Sequence, residues 1–242
     1  DIPVDSINAW HGRIPAKMLR NLRLAYYAQV AHIDNQVGRF IMALHRLRTG
    51  PTWVVFTSDH GEMLGDHCMF RKTYAYEGSA KTPLIVCPPD RSRIHSSAAP
   101  VIQEDLMPSM LEMAGLPVPK AVEGRSVVPL LSRKPGQCRW KPFVHGEHSD
   151  CYWPENAMQY LTDGHEKYIW YTGDGHEELF DLAKDPTELH DLAAEPSARA
   201  RLELWRNRMI RELTPRKQDR LTDGKRLIAG RNVPAVRAEL MR

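Results

Sequence analysis

The sequence predicts a mixed α/β fold, in which a sheet flanked by helices precedes a smaller subdomain with a short antiparallel sheet and a C-terminal helix. Apolar residues recur every three or four positions over residues 16–48, which is typical of a long amphipathic helix. The apolar run at residues 53–56 then predicts a buried strand. Residues 143–182 contain short strand-like segments separated by turn residues, as in an antiparallel meander.

The remaining elements follow from local signals. Pro15 suits the first turn of the long helix, and Gly50 with Pro51 ends it. A second buried strand is predicted at residues 84–86 and a short helix at 105–114. The composition changes near residues 132–136. We therefore expect two domains, residues 1–135 and residues 136–242, the second with strands near 143–146, 158–161, 168–171 and 179–182, a helix over 197–213 and a basic, loosely held tail.

The bulk properties describe an ordinary globular chain. Its 242 residues are 42% hydrophobic and 26% charged, with a net charge of +3. Basic residues are concentrated near the C-terminus, but no aromatic residue is interleaved with them after Trp205, which favours a solvated helix over a nucleic-acid site. No apolar run approaches the roughly 20 residues that cross a bilayer. With no targeting segment, bacterial periplasm and cytoplasm are both open, as is the oligomeric state.

The most informative segment begins where the first predicted strand ends. Asp59 and His60 follow that strand directly, at the end where open α/β sheets bind ligands. A carboxylate and an imidazole supply one hard and one borderline metal ligand, and Gly61 lets the chain turn away sharply. Lys72 follows a short distance later. A cation with a nearby lysine suits an anionic, tetrahedral substrate.

Several motifs in this chain resemble those of sulfatases. Sulfatases belong to the alkaline-phosphatase superfamily, together with phosphonate monoester hydrolases and related phosphodiesterases. The resemblance covers most of residues 15–195 and implies an alkaline-phosphatase-like mixed sheet. It rests on Asp59-His60-Gly61-Glu62, Gly65-Asp66-His67, Lys72, Tyr76-Glu77-Gly78-Ser79, Thr82-Pro83-Leu84-Ile85-Val86, His145-Gly146-Glu147-His148, Gln159-Tyr160-Leu161-Thr162-Asp163-Gly164, Lys167-Tyr168-Ile169-Trp170-Tyr171, Glu178-Leu179-Phe180-Asp181-Leu182 and Asp185-Pro186-Thr187-Glu188.

The resemblance implies a metal-dependent sulfuric ester hydrolase that acts on a sulfate ester of a sugar or aryl group. Asp59 and His60 would bind the cation, which the resemblance implies is calcium, while the donor set also admits magnesium, manganese or zinc. Lys72 would contact the sulfuryl oxygens as a point charge. His67 would contact substrate or assist proton transfer. Glu62 and Asp66 are second-sphere groups or simple caps, without an assigned role.

His145, Glu147 and His148 form a second polar cluster near a predicted strand end. Three interpretations are open: the cluster lines the substrate cleft, it pairs structurally, or it binds a metal. We expect the first, with His148 as a substrate-binding residue.

The nucleophile is expected outside this chain. Sulfatases use a formylglycine made from Cys or Ser within Cys-x-Pro-x-Arg at a helix N-terminus, after an aspartate pair that completes the metal site. That string occurs at Cys87-Pro88-Pro89-Asp90-Arg91, but we reject it because it follows a strand and the prolines begin no helix. The chain is therefore expected to be the carboxyl-terminal portion of an enzyme, inactive without its missing N-terminal half.

Two alternatives to a sulfatase stay open. A phosphonate monoester hydrolase or phosphodiesterase would carry the same Asp-His-Gly-Glu and lysine pattern. A non-catalytic binding protein derived from the fold would carry no nucleophile motif and would bind metal weakly.

Overall fold

The computed structural model describes residues 12–47, 50–90, 96–132, 138–149 and 156–230. The chain divides into two compact units, residues 1–72 with 78–94, and residues 73–77 with 95–242. The predicted domain boundary near residue 135 lies outside the described residues and stays a prediction. The helices and strands, in chain order, are α1 (Ala16–Leu47), β1 (Val54–Thr57), α2 (Glu77–Ala80), β2 (Leu84–Cys87), α3 (Leu106–Met113), α4 (Val128–Ser132), β3 (Val144–His148), β4 (Met158–Thr162), β5 (Glu166–Tyr171), β6 (Glu177–Asp181) and α5 (Arg199–Leu213).

Helix α1 matches its predicted bounds to within one residue, and the Pro15 carbonyl accepts hydrogen bonds from the backbone N–H of Met18 and Leu19. It buries none of its side chains, and Tyr27 and Phe40 are 57% and 62% exposed. Val30 and Ile33 of the predicted apolar stripe are 47% and 52% exposed, so the described residues of the first unit leave much of that stripe uncovered. No helix in the described ranges combines the length and hydropathy that a membrane span requires.

Strands β1 and β2 pair antiparallel, from Val54 opposite Cys87 to Thr57 opposite Leu84. The prediction that both strands are buried is wrong: Phe56 and Ile85 are 37% and 55% exposed. A two-stranded sheet has two apolar faces, and the described residues of this unit do not cover them.

Strands β3, β4, β5 and β6 form the predicted antiparallel meander in sequential order. Leu161 of β4 lies opposite Tyr168 of β5, which lies opposite Leu179 of β6. Because side chains alternate between faces of a strand, Tyr168 and Trp170 point to one face and Lys167 and Ile169 to the other. All four are buried, so β5 is covered on both faces.

Helix α5 covers the Tyr168 face and completes the main hydrophobic core. Its buried side chains pack against Leu161, Tyr168, Trp170 and Leu179. The four positions predicted to point inward are all buried: Leu202, Trp205, Met209 and Leu213. The helix starts at Arg199 after a short 3₁₀ turn, Pro196–Ala198, so the prediction of a helix over 197–213 is confirmed apart from that first turn.

The polar groups of Trp205, Tyr168 and Arg206 at the edge of this core all have hydrogen-bond partners. Trp205 Nε1 donates to Glu166 Oε2 at 2.7 Å, and Arg206 donates two hydrogen bonds to Glu177 at 2.7 and 2.6 Å. The Tyr168 hydroxyl also donates to Glu177. Burial, followed by the charge of Glu177, raises the pKa of Tyr168, so its hydroxyl stays a donor.

The prediction of a loosely held tail beyond residue 215 is wrong for residues 216–230. Leu221 is buried in the α5 core, and its carbonyl accepts from the Ile228 N–H at 2.8 Å. The Gly230 N–H donates to the Thr172 carbonyl at 2.9 Å. The few apolar residues of this stretch, Leu221, Leu227 and Ile228, follow neither a helix nor a strand period, so the sequence pattern could not reveal this contact. Residues 231–242 lie outside the described chain.

Replacing Trp205 with Ala should destabilise the second unit by about 3–5 kcal/mol, because it empties the centre of the core and leaves Glu166 without its indole donor. Leu204, the preceding residue, is 47% exposed. Leu204→Ala should therefore change the free energy of unfolding by about 0.5 kcal/mol or less. Urea unfolding followed by circular dichroism measures both, and equal losses would contradict this assignment of the core.

Candidate metal and substrate site

Asp59 and His60 lie just beyond the C-terminal end of β1 with their side chains close together. Asp59 Oδ2 is 3.6 Å from His60 Nε2, and Asp59 Oδ1 accepts from the His60 backbone N–H at 3.0 Å. His60 Nδ1 is 2.8 Å from the Gly61 carbonyl, which can only accept, so Nδ1 carries the proton. In the neutral ring, Nε2 then holds the lone pair on the side of Asp59.

This spacing fits two ligands of one cation. Bonds of about 2.4 Å at right angles to each other place two ligand atoms about 3.4 Å apart. The Asp59 side chain is 84% exposed, which leaves room for further ligands. No third His, Cys, Asp or Glu of the described residues joins the pair to form a metal-binding group. Within the described residues, the pair alone offers too few donors to complete the coordination of a cation.

Gly61 fixes where the chain goes after this pair. Its N–H donates to the Ser79 carbonyl at 2.8 Å. A Cβ at Gly61 would stand 2.1 Å from the Gly78 carbonyl oxygen, closer than any real contact. Gly78 is tight as well, because its own Cβ would meet the sulfur of buried Met63 at 3.1 Å. Two glycines thus allow two backbone segments to cross directly behind Asp59 and His60.

Glu62 ties together the loop that follows, residues 61–72. Its Oε1 accepts from the backbone N–H of Leu64 at 3.2 Å and of Arg71 at 2.5 Å. Arg23 of α1 holds the same loop from outside, with Nε donating to the Leu64 carbonyl at 2.9 Å and a terminal nitrogen donating to Asp66 Oδ1 at 2.7 Å. Glu62 and Asp66 had no assigned role in the sequence, and Arg23 gave no signal in its helix.

The loop backbone is unusual. Leu64, His67, Cys68 and Arg71 all have left-handed φ angles between 49° and 69°. Such conformations cost roughly 1 kcal/mol or more each outside glycine and cluster at functional sites, because surrounding contacts must hold them. His67 is half-buried within a single 3₁₀ turn, Asp66–Cys68. The structure therefore places His67 in a loop whose shape is strongly constrained.

Lys72 comes at the end of this loop. Its side chain is half-buried and makes no hydrogen bond or ion pair within the described ranges. The residues on both sides, Arg71 and Thr73, have left-handed φ angles of 69° and 86°. The ammonium is thus available to a ligand, while the backbone that carries it is tightly specified.

The second polar cluster, His145, Glu147 and His148, lies on β3, where successive side chains point to opposite faces. His145 Nε2 is 2.8 Å from Gln159 Oε1, and Glu147 forms an ion pair with Arg216 at 2.7 Å. Partial burial opposes ionisation of Glu147, but the hydrogen bond and charge of Arg216 outweigh it and hold the pKa of Glu147 below its usual value. These two residues are engaged in structural pairs. His148, one position on, belongs to the opposite face, and its substrate-binding role stays a prediction.

Cys87, the first residue of the rejected Cys-x-Pro-x-Arg string, lies away from the Asp59–His60 pair. Cys87 is the last residue of β2, is exposed, and pairs with Val54 at the start of β1. Asp59 follows the other end of β1, about 10 Å further along the strand. Pro89 and Asp90, which follow, lie in a turn and not at the start of a helix.

Comparison with known proteins identifies the class of this fold and then its family. The chain resembles the phosphonate monoester hydrolase of Silicibacter pomeroyi with a TM-score of 0.73 and 28% identity, over 84% of this chain and 43% of that one. This similarity places the chain among the mixed α/β proteins of the alkaline-phosphatase-like fold.

Two sulfatase families match the sequence. The family "N-sulphoglucosamine sulphohydrolase, C-terminal" matches residues 65–215, and the family "Sulfatase" matches residues 4–116. An arylsulfatase of Clostridium perfringens is 36% identical over 93% of this chain, and arylsulfatase K of Rattus norvegicus is 35% identical over 80%. The chain belongs to the sulfatase family. It spans 46% and 36% of the lengths of these two relatives.

Gly61→Ala should destabilise the first unit by about 1–3 kcal/mol or more, because the new methyl group would overlap a backbone oxygen that cannot move away cheaply. Gly38 of α1 is the matched control, since a Cβ there meets nothing within 4 Å. Gly38→Ala should stabilise the helix by about 0.5–1 kcal/mol. Thermal unfolding distinguishes the two, and a Gly61→Ala variant as stable as the parent would refute the close crossing.

Proposed function

We propose that this chain is the carboxyl-terminal portion of a metal-dependent sulfuric ester hydrolase. The observation that carries the proposal is the Asp59–His60 pair at the end of β1, with a 3.6 Å separation that suits one shared cation. The membership of the sulfatase family supports it, as do the arylsulfatase relatives. The substrate class is a sulfate ester of an aryl group or a sugar.

Asp59 and His60 would hold the divalent cation, with Asp59 Oδ2 and His60 Nε2 as the ligand atoms. Calcium is the cation we propose, because an exposed carboxylate with room for additional oxygen ligands suits a large, hard ion. A cation in this position supplies Lewis-acid stabilisation of charge on the sulfuryl oxygens. The proton on His60 Nδ1, donated to the Gly61 carbonyl, orients the ring and keeps Nε2 available.

Lys72 would bind the same sulfuryl oxygens as a fixed positive charge. A half-buried ammonium makes a stronger electrostatic contact with an anion than an exposed one, because less water competes. His67 would contact the substrate or carry a proton, held in position by the constrained loop between Glu62 and Arg71. His148 would contact the part of the substrate that distinguishes one ester from another.

The attacking group would come from outside this chain. A formylglycine nucleophile would supply the oxygen that attacks sulfur, and an upstream aspartate pair would complete the cation's ligands. The described residues contribute the charge that stabilises the transferred sulfuryl group. We also propose that residues 1–135 and 136–242 correspond to two domains of the complete enzyme.

A phosphonate monoester hydrolase is the second candidate, and the TM-score of 0.73 with the Silicibacter pomeroyi enzyme favours it. Sulfate and phosphonate monoesters both present tetrahedral, anionic centres to a cation and a lysine. Rates on an aryl sulfate and on the matching aryl phosphonate, measured with the complete enzyme, separate the two. A higher kcat/KM on the sulfate supports our proposal.

Asp59→Asn in the complete enzyme should lower the content of bound divalent cation and abolish turnover, since an amide is a much weaker ligand than a carboxylate. Elemental analysis of dialysed protein measures the cation directly. Asp34, exposed on α1 in the same unit, provides the control Asp34→Asn, which should retain metal and activity. Metal content equal to that of the parent in Asp59→Asn would show that Asp59 is not a ligand.

Lys72→Ala should lower kcat by about 10²–10³-fold, the effect of removing one group that stabilises developing negative charge. Lys17, an exposed lysine at the start of α1, serves as the control, and Lys17→Ala should leave kcat unchanged. Steady-state kinetics on an aryl sulfate measures both variants. A Lys72→Ala enzyme with parental kcat and KM would mean that this lysine does not contact the substrate.

A further inference from the structure

Three backbone groups of the five residues that follow Lys72, Thr73–Glu77, are held by side chains from distant parts of the second unit. The Thr73 carbonyl accepts from Asn156 Nδ2 at 2.7 Å, and the Ala75 carbonyl accepts from Lys167 Nζ at 2.7 Å. The Glu77 N–H donates to Glu188 Oε2 at 2.6 Å. Neighbouring backbone groups in this segment therefore depend on specific polar partners.

The centre of these contacts is the Lys167 cluster, which we define as Lys167, Glu77, Glu188 and the Ala75 carbonyl. Lys167 is fully buried on β5, and its Nζ lies 2.7 Å from Glu77 Oε1 and 2.8 Å from Glu188 Oε1. The contact with Glu188 Oε1 is an ion pair whose angle is not that of a hydrogen bond. One ammonium thus holds two carboxylates and a carbonyl.

Glu188 is itself held in place. Its backbone is left-handed, with φ at 55°, and its N–H donates to the Asp185 carbonyl at 3.1 Å. Asp185 accepts in addition from the His190 N–H and the Thr187 hydroxyl. The Asp185-Pro186-Thr187-Glu188 motif therefore forms a turn. This turn places the buried Glu188 carboxylate against Lys167 Nζ and the Glu77 N–H.

Burying such a cluster is a poor way to gain stability. Desolvation of an ammonium and a carboxylate offsets most of their attraction, and apolar residues of similar volume often serve a fold equally well. What a buried ion cluster provides is directional geometry. Tyr76 adds to it, since its hydroxyl donates to Glu178 and its ring packs edge-on against Phe180.

We propose that the Lys167 cluster and Asn156 are positioning residues for Lys72. The backbone on one side of Lys72 is held by Glu62 through the Arg71 N–H, and on the other side by Asn156 through the Thr73 carbonyl. The Lys167 cluster then fixes the next four residues. The inference rests on the proposed function, because it assigns a purpose to the placement of Lys72. Since a displacement of about 1 Å can cost about 10²-fold in rate, this backbone support bears on catalysis.

The test is a double-mutant cycle in the complete enzyme, with an aryl sulfate as substrate. Lys167→Met should lower kcat by about 10–100-fold in the parent, with a smaller change in KM. In a Lys72→Ala background the same substitution should change kcat by less than about threefold, because the lysine that it displaces is absent. A structural role alone would give the same loss in both backgrounds, and that result would overturn the proposal.

A second variant covers the case in which Lys167→Met fails to fold. Asn156→Leu removes only the donor to Thr73 and should follow the same pattern with a smaller loss, about 3–30-fold in kcat. Lys167→Arg, which can keep the ion pairs, should recover part of the kcat lost in Lys167→Met. Lys184, exposed in the neighbouring turn, is the control, and Lys184→Met should behave as the parent.

The cycle separates failure of this inference from failure of the proposed function. If Lys72→Ala leaves kcat unchanged, the role of Lys72 is wrong and the positioning proposal falls with it. If Lys72→Ala lowers kcat but Asn156→Leu costs the same in both backgrounds, the function stands and the positioning proposal is overturned.

Discussion

A buried ammonium needs protein oxygen atoms as hydrogen-bond and ion-pair partners in place of water. Lys167 finds them in three separate segments of the second unit, and these contacts hold the segments together. Two of its three partners, at residues 75 and 77, lie about 90 positions before it in the sequence, and the third, Glu188, follows strand β6. If Lys167 were lost, the carboxylates of Glu77 and Glu188 would be left in the interior without their shared cation, so all three segments are constrained together. The Ala75 segment, the Glu188 turn and β5 therefore adopt one arrangement.

The two faces of β5 make different kinds of contact, one apolar and one that includes a buried ion cluster. The face toward α5 is apolar, with Trp205 and Met209 fully buried, and it supplies most of the hydrophobic stabilisation. Hydrophobic burial is not directional, and it specifies the position of a given backbone atom poorly. The opposite face carries Lys167, whose contacts are directional. In the first unit, Glu62 and Arg23 make directional hydrogen bonds to the backbone of the loop that contains His67. Several residues of this loop have left-handed φ angles.

The sequence predicted the elements with strong periodic signals: α1, the four-stranded meander, and the inward positions of α5. It also singled out Asp59 and His60, because an aspartate–histidine pair after an apolar strand is a local pattern. Burial of β1 and β2 was wrong, since burial depends on layers that a local pattern cannot reveal. The contacts of Glu62, Asn156 and Glu188 were not predictable, because each joins segments that are separated in the sequence and come together only in the folded structure. Leu221 was missed for the same reason.

The order of these contacts along the chain has a consequence for biosynthesis. The partners of residues 73–77 lie about 80–110 positions later, at Asn156, Lys167 and Glu188. Contacts of such high sequence separation form late in folding, because closing a long loop costs conformational entropy before the contact contributes any stabilisation. On the ribosome, the segment after Lys72 emerges well before β5 and the Glu188 turn exist. Lys72 is made before these partners, so its surroundings are completed only after the Glu188 turn has been made and the C-terminal sheet has folded.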